Sequence, residues 1–398
     1  METWLNISSE SDFSIYNIPF GVFSKGKSKR IASRIGDYII DLKSMYDSGC
    51  FPFIKSDVFE SEDLNAFIGL GKQDTTRVRL VIQRELTTKG SMLETDFSKY
   101  SYLVRDVSMH LPVNVGDYTD FYSSKFHAEN VGKLFRSEED ALLENWLHMP
   151  IAYHGRSSSI VVSETPIKIP SGQVASENAI VYKSSDKVDF ELEFATVIGK
   201  SNLLGKPIDI NRAEDYIFGF CLLNDWSARD IQSWEYKPLG PFLGKNFATT
   251  ISPWIITIEA LQPFKTKALK QEGILPYLRA ACPTTYNINL SVSLNGKVVT
   301  RTNFSKLYWT LSQQIAHHTI NGCNLRVGDI LGSGTISDEQ EKGSLLELTY
   351  NGEKPIVVNS KKITFLKKGD EVVLRGFASK KGLKVGFGKA AGILTNEL

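Results

Sequence analysis

Residues 287–299 read NINLSVSLNGKVV, and the fold class turns on them. Ile288, Leu290, Val292 and Leu294 fall at every second position, and Asn295-Gly296 closes the run. Alternation with period two belongs to a strand with one buried face. An Asn-Gly pair at its end spells a two-residue hairpin, because both central residues of that turn need positive φ. LLELTYNGEKPIVV (residues 345–358) repeats the spelling and predicts a second hairpin at Asn351-Gly352, with Glu347 inside its first strand. RVGDILGSGTI and KKGDEVVLRGF add strands entered at Gly-Asp corners. Towards the N-terminus, FGVFS and IASRIGDYIIDL read as strands joined by a tight Ile-Gly-Asp corner.

Helices are fewer. TTRVRLVIQRELTT (75–88) is amphipathic; SEEDALLENWL starts at a candidate N-cap, Ser137; SKLYWTLSQQIAHHT ends before Asn321-Gly322. His317-His318, near a helix C-terminus, read as structural cations on the helix dipole. Many short strands with few helices give a mainly β, α+β chain built as a sandwich, barrel or rolled sheet.

With 398 residues the chain has room for two or three domains, and 42% hydrophobic with 23% charged residues describes a globular protein. A net charge of +1 lacks the basic excess of a nucleic-acid or membrane-surface binder. No apolar run approaches the roughly 20 residues of a membrane span. The opening METWLNISSESDFS has no basic or apolar leader pattern. Four cysteines without CxxC spacing argue against a zinc site or a disulfide framework, and Cys221, within FGFCLLN, reads as a buried thiol. The expectation is a cytoplasmic protein.

The chemistry concentrates after residue 112. DFELEFATVIG (189–199) places Glu191 and Glu193 on one strand face, about 7 Å apart from the strand rise, with Leu192 and Phe194 on the other. Two acids so placed either face water or reach one cation. FGFCLLNDWSARD is an apolar strand ending at Asp225, which either caps the following helix or serves a site at the strand end. Asp230 reads as a surface acid. GDYTDFYSSKFHAEN (116–130) holds Asp120, Tyr122 and His127 within a few positions. If Asp120, Glu191, Glu193 and Asp225 converge, their repulsion calls for a cation, and all-oxygen ligation selects Mg²⁺ or Ca²⁺ over zinc. Spacing alone does not bring them together.

Arg229 and Gln232 share one face of a short helix, and Tyr236 and Lys245 follow in a Pro/Gly-punctuated loop. Arg, Gln and Lys are donors suited to an oxyanion, or ordinary polar residues of a surface loop. Arg136 precedes a helix start and would hold a carboxylate, of substrate or of Glu138 or Glu139. Tyr153 is a packed aromatic or a phenol for substrate. His127 needs an orienting acid to act as a base, and Glu347, in an apolar stretch, needs a partner.

The motifs GDYTDFYSSxxHAxNVGxxFR, NWLHMPIAYHGRSSSIVVSETP, NDWSARDIQSWEYKPLGPFLGKNF, TTISPWI, HHTINGCNLRVGDILGSGTIS and VGFGKAAG resemble the fumarylacetoacetate hydrolase family over nearly the whole chain. The resemblance implies a small N-terminal SH3-like β-barrel (residues 1–112) and a larger C-terminal rolled mixed β-sandwich (113–398) carrying catalysis. It implies a homodimer, Mg²⁺ or Ca²⁺, and hydrolysis of 4-fumarylacetoacetate to fumarate and acetoacetate, the last step of tyrosine and phenylalanine catabolism. By motif, Asp120, Glu191, Glu193 and Asp225 are the metal ligands. His127 and Glu347 form the catalytic dyad, and Arg229, Gln232 and Lys245 stabilise the oxyanion. Tyr122, Arg136, Tyr153, Tyr236 and Thr335 bind substrate. Lys125-Phe126 is a variable dipeptide, and DEQEKGS after GSGTIS departs from animal members in length and charge. Two rivals remain: a different diketo-acid hydrolase or decarboxylase, and a metal-binding scaffold without turnover.

Overall fold

The computed structural model describes every residue except Asp140, Glu177 and Leu398. The hairpin at 287–299 forms as spelled. Asn289–Leu294 pairs antiparallel with Lys297–Asn303, and Asn295 (φ 51°) and Gly296 (φ 79°) both take the left-handed turn conformation that matches strand twist. Leu290, Val292 and Leu294 are buried while the residues between them are not.

This hairpin is the edge of a 5-stranded sheet in the order Lys297–Asn303, Asn289–Leu294, Glu371–Lys380, Leu383–Thr395, Ile167–Lys168. It faces a 13-stranded sheet whose middle runs Trp254–Thr257, Ile217–Asp225, Leu192–Ile198, Ile330–Gly332, Tyr118–Phe121. Leu290, Val292, Leu374 and Phe387 share one core with Phe194, Phe220 and Leu222. The Phe194 and Phe387 rings meet edge-on at 4.8 Å. The other face of the central sheet is also covered: Cys221, Leu223 and Val197 join Phe20, Phe67, Ile82 and Leu86 of the N-terminal part. Ile217–Asp225 is therefore buried at all 9 positions. With cores on both faces it shows no polar alternation, and each large side chain so buried contributes about 1.5–3 kcal/mol.

The expected strands Phe20–Ser24, Lys29–Ile35 and Tyr38–Asp41 pair antiparallel in chain order, and Ser101–Leu103, not foreseen, pairs with Tyr38–Asp41. Among the described residues no pairing closes them into the barrel implied by the resemblance. The second edge of Phe20–Ser24 pairs with Ser108–His110 of the same unit and, at Phe20-Gly21, with Trp254–Thr257, which carries the sheet on into the central one. Gly21 permits this join: a Cβ there would stand 2.7 Å from the Trp254 ring. Helix Lys72–Thr87 buries Val78, Ile82 and Leu86, and Arg79 and Gln83 on the same face donate to the carbonyls of Tyr16 and Ile15.

Three local expectations are corrected. Residues 345–350 are not a strand. Leu345–Leu348 is a single helical turn whose N-cap, Ser344, accepts from the Glu347 N–H. Ser followed three residues on by Glu is a helix-start pattern, and the alternation of leucines masked it. The hairpin expected at Asn351-Gly352 instead joins Ile356–Val358 to Lys361–Ile363, through Asn359 and Ser360 at positive φ. The helix expected from Ser137 is reduced to Glu144–His148; one expected position, Asp140, lies outside the described residues. Ala141 is pinned on helix Lys125–Phe135, its carbonyl accepting from Arg136 at 2.7 Å and seated against Gly132, which delays helix entry.

Helix Leu311–Thr319 matches its expected C-terminus and is capped by a Thr310/Gln313 box. His317 bonds the Tyr277 hydroxyl and His318 bonds Thr119, both at 2.9 Å. Cys50, Cys221, Cys282 and Cys323 are free thiols. Among the described residues no helix is long and apolar enough to cross a membrane.

Candidate active site

Sheet register brings the acids together. Asp120 lies in Tyr118–Phe121, Glu193 in Leu192–Ile198, Glu191 just before that strand, and Asp225 at the end of Ile217–Asp225. These strands are near neighbours in the central sheet. One oxygen from each of Asp120, Glu191, Glu193 and Asp225 lies within 4.8 Å of the others, and all four residues are buried. Glu191 and Glu193 project together while Leu192 and Phe194 enter the opposite core, as the i, i+2 spacing requires. Asp225 does not cap the next helix: Arg229–Glu235 begins after Ala228. Asp230, expected at the surface, is buried and accepts from Ser185 and the Asp186 N–H.

Gly332, between Asp120 and Glu193 in the sheet, has no side chain for a reason: a Cβ there would stand 2.8 Å from Asp120 Oδ1 and 3.1 Å from Glu193 Oε2. Gly332→Ala puts a methyl among the carboxylates. It is expected to weaken Mg²⁺ or Ca²⁺ binding about 10–100-fold with the fold intact; calorimetry showing unchanged affinity would refute the crowding argument.

Two cations reach the cluster. Lys245 Nζ contacts Glu191 Oε2 and Asp225 Oδ2. Arg229 Nη2 donates to Glu191 Oε1 at 2.7 Å, its Nε to Asp189 Oδ2 at 2.9 Å, and its Nη1 to Gln232 Oε1 at 3.1 Å. The Tyr153 phenol donates to Asp225 Oδ2 at 3.0 Å, and the Gly334 N–H to Glu193 Oε2 at 3.1 Å. Asp120 Oδ1 and Glu193 Oε1 are buried without a partner. With all four carboxylates ionised, the two side-chain cations would leave at least two negative charges uncompensated. An unmet buried acceptor costs about 1–3 kcal/mol, more if charged, so this all-oxygen set fits a hard divalent cation.

The protonation equilibria agree. Burial, then repulsion from neighbouring acids, holds Asp120 and Glu193 well above the ordinary carboxylate range. Glu191 feels the same burial, but Lys245 and Arg229 outweigh it and hold its carboxyl low. Burial opposes the charge on Lys245, yet Asp225 and Glu191 keep it protonated. Binding of a divalent cation by these acids would require Asp120 and Glu193 to give up protons. Its apparent affinity is expected to rise as pH climbs from the ordinary carboxylate range towards their raised values, and to fall on acidification. Calorimetry in buffers of different ionisation enthalpy should register the released protons; heats independent of buffer would show that both acids were already ionised.

The dyad adjoins this cluster. Ser124 caps helix Lys125–Phe135 by accepting from the His127 N–H. His127 Nδ1 meets Glu347 Oε2 at 2.7 Å, both residues buried. With Glu347 ionised, Nδ1 carries the proton and Nε2 is the basic nitrogen. Glu347 also accepts from Asn130 at 2.8 Å and from Ser337 and Ser344 at 2.9 Å. Burial pushes its pKa up, but His127 and these donors more than offset that and set it below the ordinary value. Ser344, which caps the turn carrying Glu347, bridges to Glu191, so the pair lies beside the carboxylate cluster.

The remaining expected residues sit at different distances. The Tyr122 ring stands edge-on to His127 with centroids 5.1 Å apart. Thr335 is buried beside Gly334. Arg136 ends the His127 helix, nine residues and so about 14 Å along the axis. Tyr236 ends helix Arg229–Glu235 and is exposed. Residues missed from the sequence are Asn130, Asp189, Gly332, Ser337 and Ser344. Asp189 carried a signal, since it continues the alternation of Glu191 and Glu193.

Two family models divide the chain: "Fumarylacetoacetase N-terminal" matches residues 16–112 and "Fumarylacetoacetate (FAA) hydrolase C-terminal" matches residues 117–397. This chain belongs to the fumarylacetoacetate hydrolase family. Curated members similar to it are the fumarylacetoacetases of Homo sapiens (46% identical) and Rattus norvegicus (47%), each aligned over 98% of this chain and 98% of its own length. Among solved structures, a fumarylacetoacetate hydrolase from Exiguobacterium antarcticum matches with TM-score 0.58 at 16% identity, over 96% of this chain and 100% of that one. A maleylpyruvate hydrolase from Sphingobium, in complex with manganese(II) and pyruvate, matches with TM-score 0.54 at 15% identity, over 95% and 98%. At such identity these structures share the family fold.

Proposed function

We propose that this chain hydrolyses the carbon–carbon bond of 4-fumarylacetoacetate to fumarate and acetoacetate, with His127 and Glu347 activating the attacking water. Full-length similarity to curated fumarylacetoacetases supports the substrate. The observation that carries the mechanism is the buried 2.7 Å His127–Glu347 bond beside the four-carboxylate cluster. Asp120, Glu191, Glu193 and Asp225 would hold Mg²⁺ or Ca²⁺, which supplies Lewis acidity towards a 1,3-dicarbonyl.

His127 Nε2 takes a proton from water, and Glu347 stabilises the imidazolium that results. Hydroxide attacks a ketone carbon. The negative oxygen is met by the Lys245 ammonium and the Gln232 amide NH₂. Arg229, engaged with Asp189, Glu191 and Gln232, fixes the Gln232 amide with its oxygen turned inward. The carbon–carbon bond breaks because acetoacetate leaves as a delocalised enolate, and the imidazolium returns its proton. Tyr122, Thr335 and Tyr153 would bind the substrate near the dyad and the carboxylates, and Arg136 and Tyr236 its outer end. Residues 1–112 act as a supporting unit and 113–398 as the catalytic one. The working form is a cytoplasmic homodimer, for which the exposed Trp234, Leu239 and Phe242 offer an apolar contact.

The test is fumarate release from fumarylacetoacetate by metal-replete protein, with and without a chelator. Turnover abolished by chelation and restored by Mg²⁺ or Ca²⁺ is expected. Cleavage at full rate by the metal-stripped protein would overturn the cation's role, and no fumarate under any condition would overturn the reaction.

A further inference from the structure

Asp189 is fully buried, and none of its bonds is to a residue of the His127–Glu347 pair or to an acid of the cluster. Its Oδ2 accepts from Arg229 Nε at 2.9 Å and lies 2.8 Å from Nη2 in an ion pair. Its Oδ1 accepts from the Leu345 N–H at 2.7 Å, and Oδ2 from the Leu346 N–H at 3.0 Å. Those two amides open the single turn Leu345–Leu348 that carries Glu347. One turn of helix is unstable alone, because its nucleus fixes several dihedrals for one hydrogen bond. Its first amides also have no partner within the helix. The side chain of Asp189 supplies two of those partners. The same carboxylate holds the guanidinium that bonds Glu191 and Gln232. One buried acid thus joins the segment that orients the base to the cation that orders the oxyanion donors.

We propose that Asp189 is a positioning residue for catalysis, fixing Glu347 against His127 through the Leu345–Leu348 turn and Arg229 against Gln232. The assignment rests on the dyad reading above. Asp189→Asn keeps the shape but turns a donor towards either a backbone N–H or the guanidinium. It is expected to lower kcat about 30–100-fold with KM and Mg²⁺ affinity within threefold, since interactions made only in the transition state register in kcat. Because Asp189 acts through Glu347, adding Asp189→Asn to Glu347→Gln should lower kcat less than threefold further; residues acting as a unit are non-additive.

Near-normal kcat in Asp189→Asn, a matching loss of metal affinity, or an equal fold-loss in both backgrounds would overturn the proposal. If Asp189→Asn does not fold, Asp189→Ser, which keeps an acceptor for one amide, is measured by the same criteria. Failure of both to fold makes Asp189 a structural anchor and also overturns it. Glu347→Gln at full kcat would sink the dyad reading itself. Glu347→Gln impaired with Asp189→Asn normal would sink this assignment alone.

Discussion

His127→Phe is expected to lower kcat about 10²–10⁴-fold while leaving the protein folded and able to bind its divalent cation. General-base catalysis accounts for a factor of this order, and the described geometry provides no substitute base at Nε2. Phenylalanine occupies a similar volume at a buried position, so the helix Lys125–Phe135 keeps its packing. Ser124 still caps the backbone N–H of residue 127. Glu347 loses its imidazole partner but retains Asn130, Ser337 and Ser344, which limits the stability loss to about 1–3 kcal/mol. Steady-state kinetics with thermal unfolding on the same samples separate the two effects. A folded variant with near-normal kcat would exclude His127 as the base.

Asp120→Ala is expected to abolish cation binding and turnover together, yet without destabilising the metal-free protein. The two signs follow from one fact. In the metal-free cluster Asp120 is a buried acid with an unpartnered oxygen, held protonated by burial and by repulsion from Asp225. Removing it relieves that penalty, so the metal-free Tm should stay level or rise. With the cation present, the parent gains stability by mass action and the variant does not. Changes to groups that orient a metal's ligands cost about 10–100-fold in affinity or activity, so loss of a direct ligand should exceed about 100-fold in affinity. Calorimetric titration together with unfolding curves at zero and saturating Mg²⁺ or Ca²⁺ reads both signs. Unchanged affinity would remove Asp120 from the ligand set, and a lowered metal-free Tm would show that its carboxylate stabilises rather than strains the cluster.

Features fixed within a few residues were legible in the sequence. Asn295-Gly296 specified its turn because only residues tolerant of positive φ fit there. Glu191 and Glu193 had to share a face because strand side chains alternate. Glu347 was expected in a strand because alternating leucines outweighed the Ser344-to-Glu347 helix start. Its pairing with His127 was anticipated from what each group needs and from the family resemblance, not from spacing. Asp230 read as a surface acid because nothing local reveals that Ser185 and Asp186 come to lie over it.

The chain's local spelling determined that this is a sheet-rich protein, that its acids and its histidine cluster after residue 112, and that two of the carboxylates project together. Only tertiary structure decided that Asp120 and Asp225 join them, that Gly332 leaves the space between, and that Asp189 reaches the turn carrying Glu347. It also decided that the N-terminal strands join the central sheet through Phe20–Ser24 and Trp254–Thr257. The physical reason is range. Turn and face preferences are set by the backbone over two to four residues, whereas these meetings depend on register between strands distant in sequence. That register is settled by burying both faces of the central sheet at once.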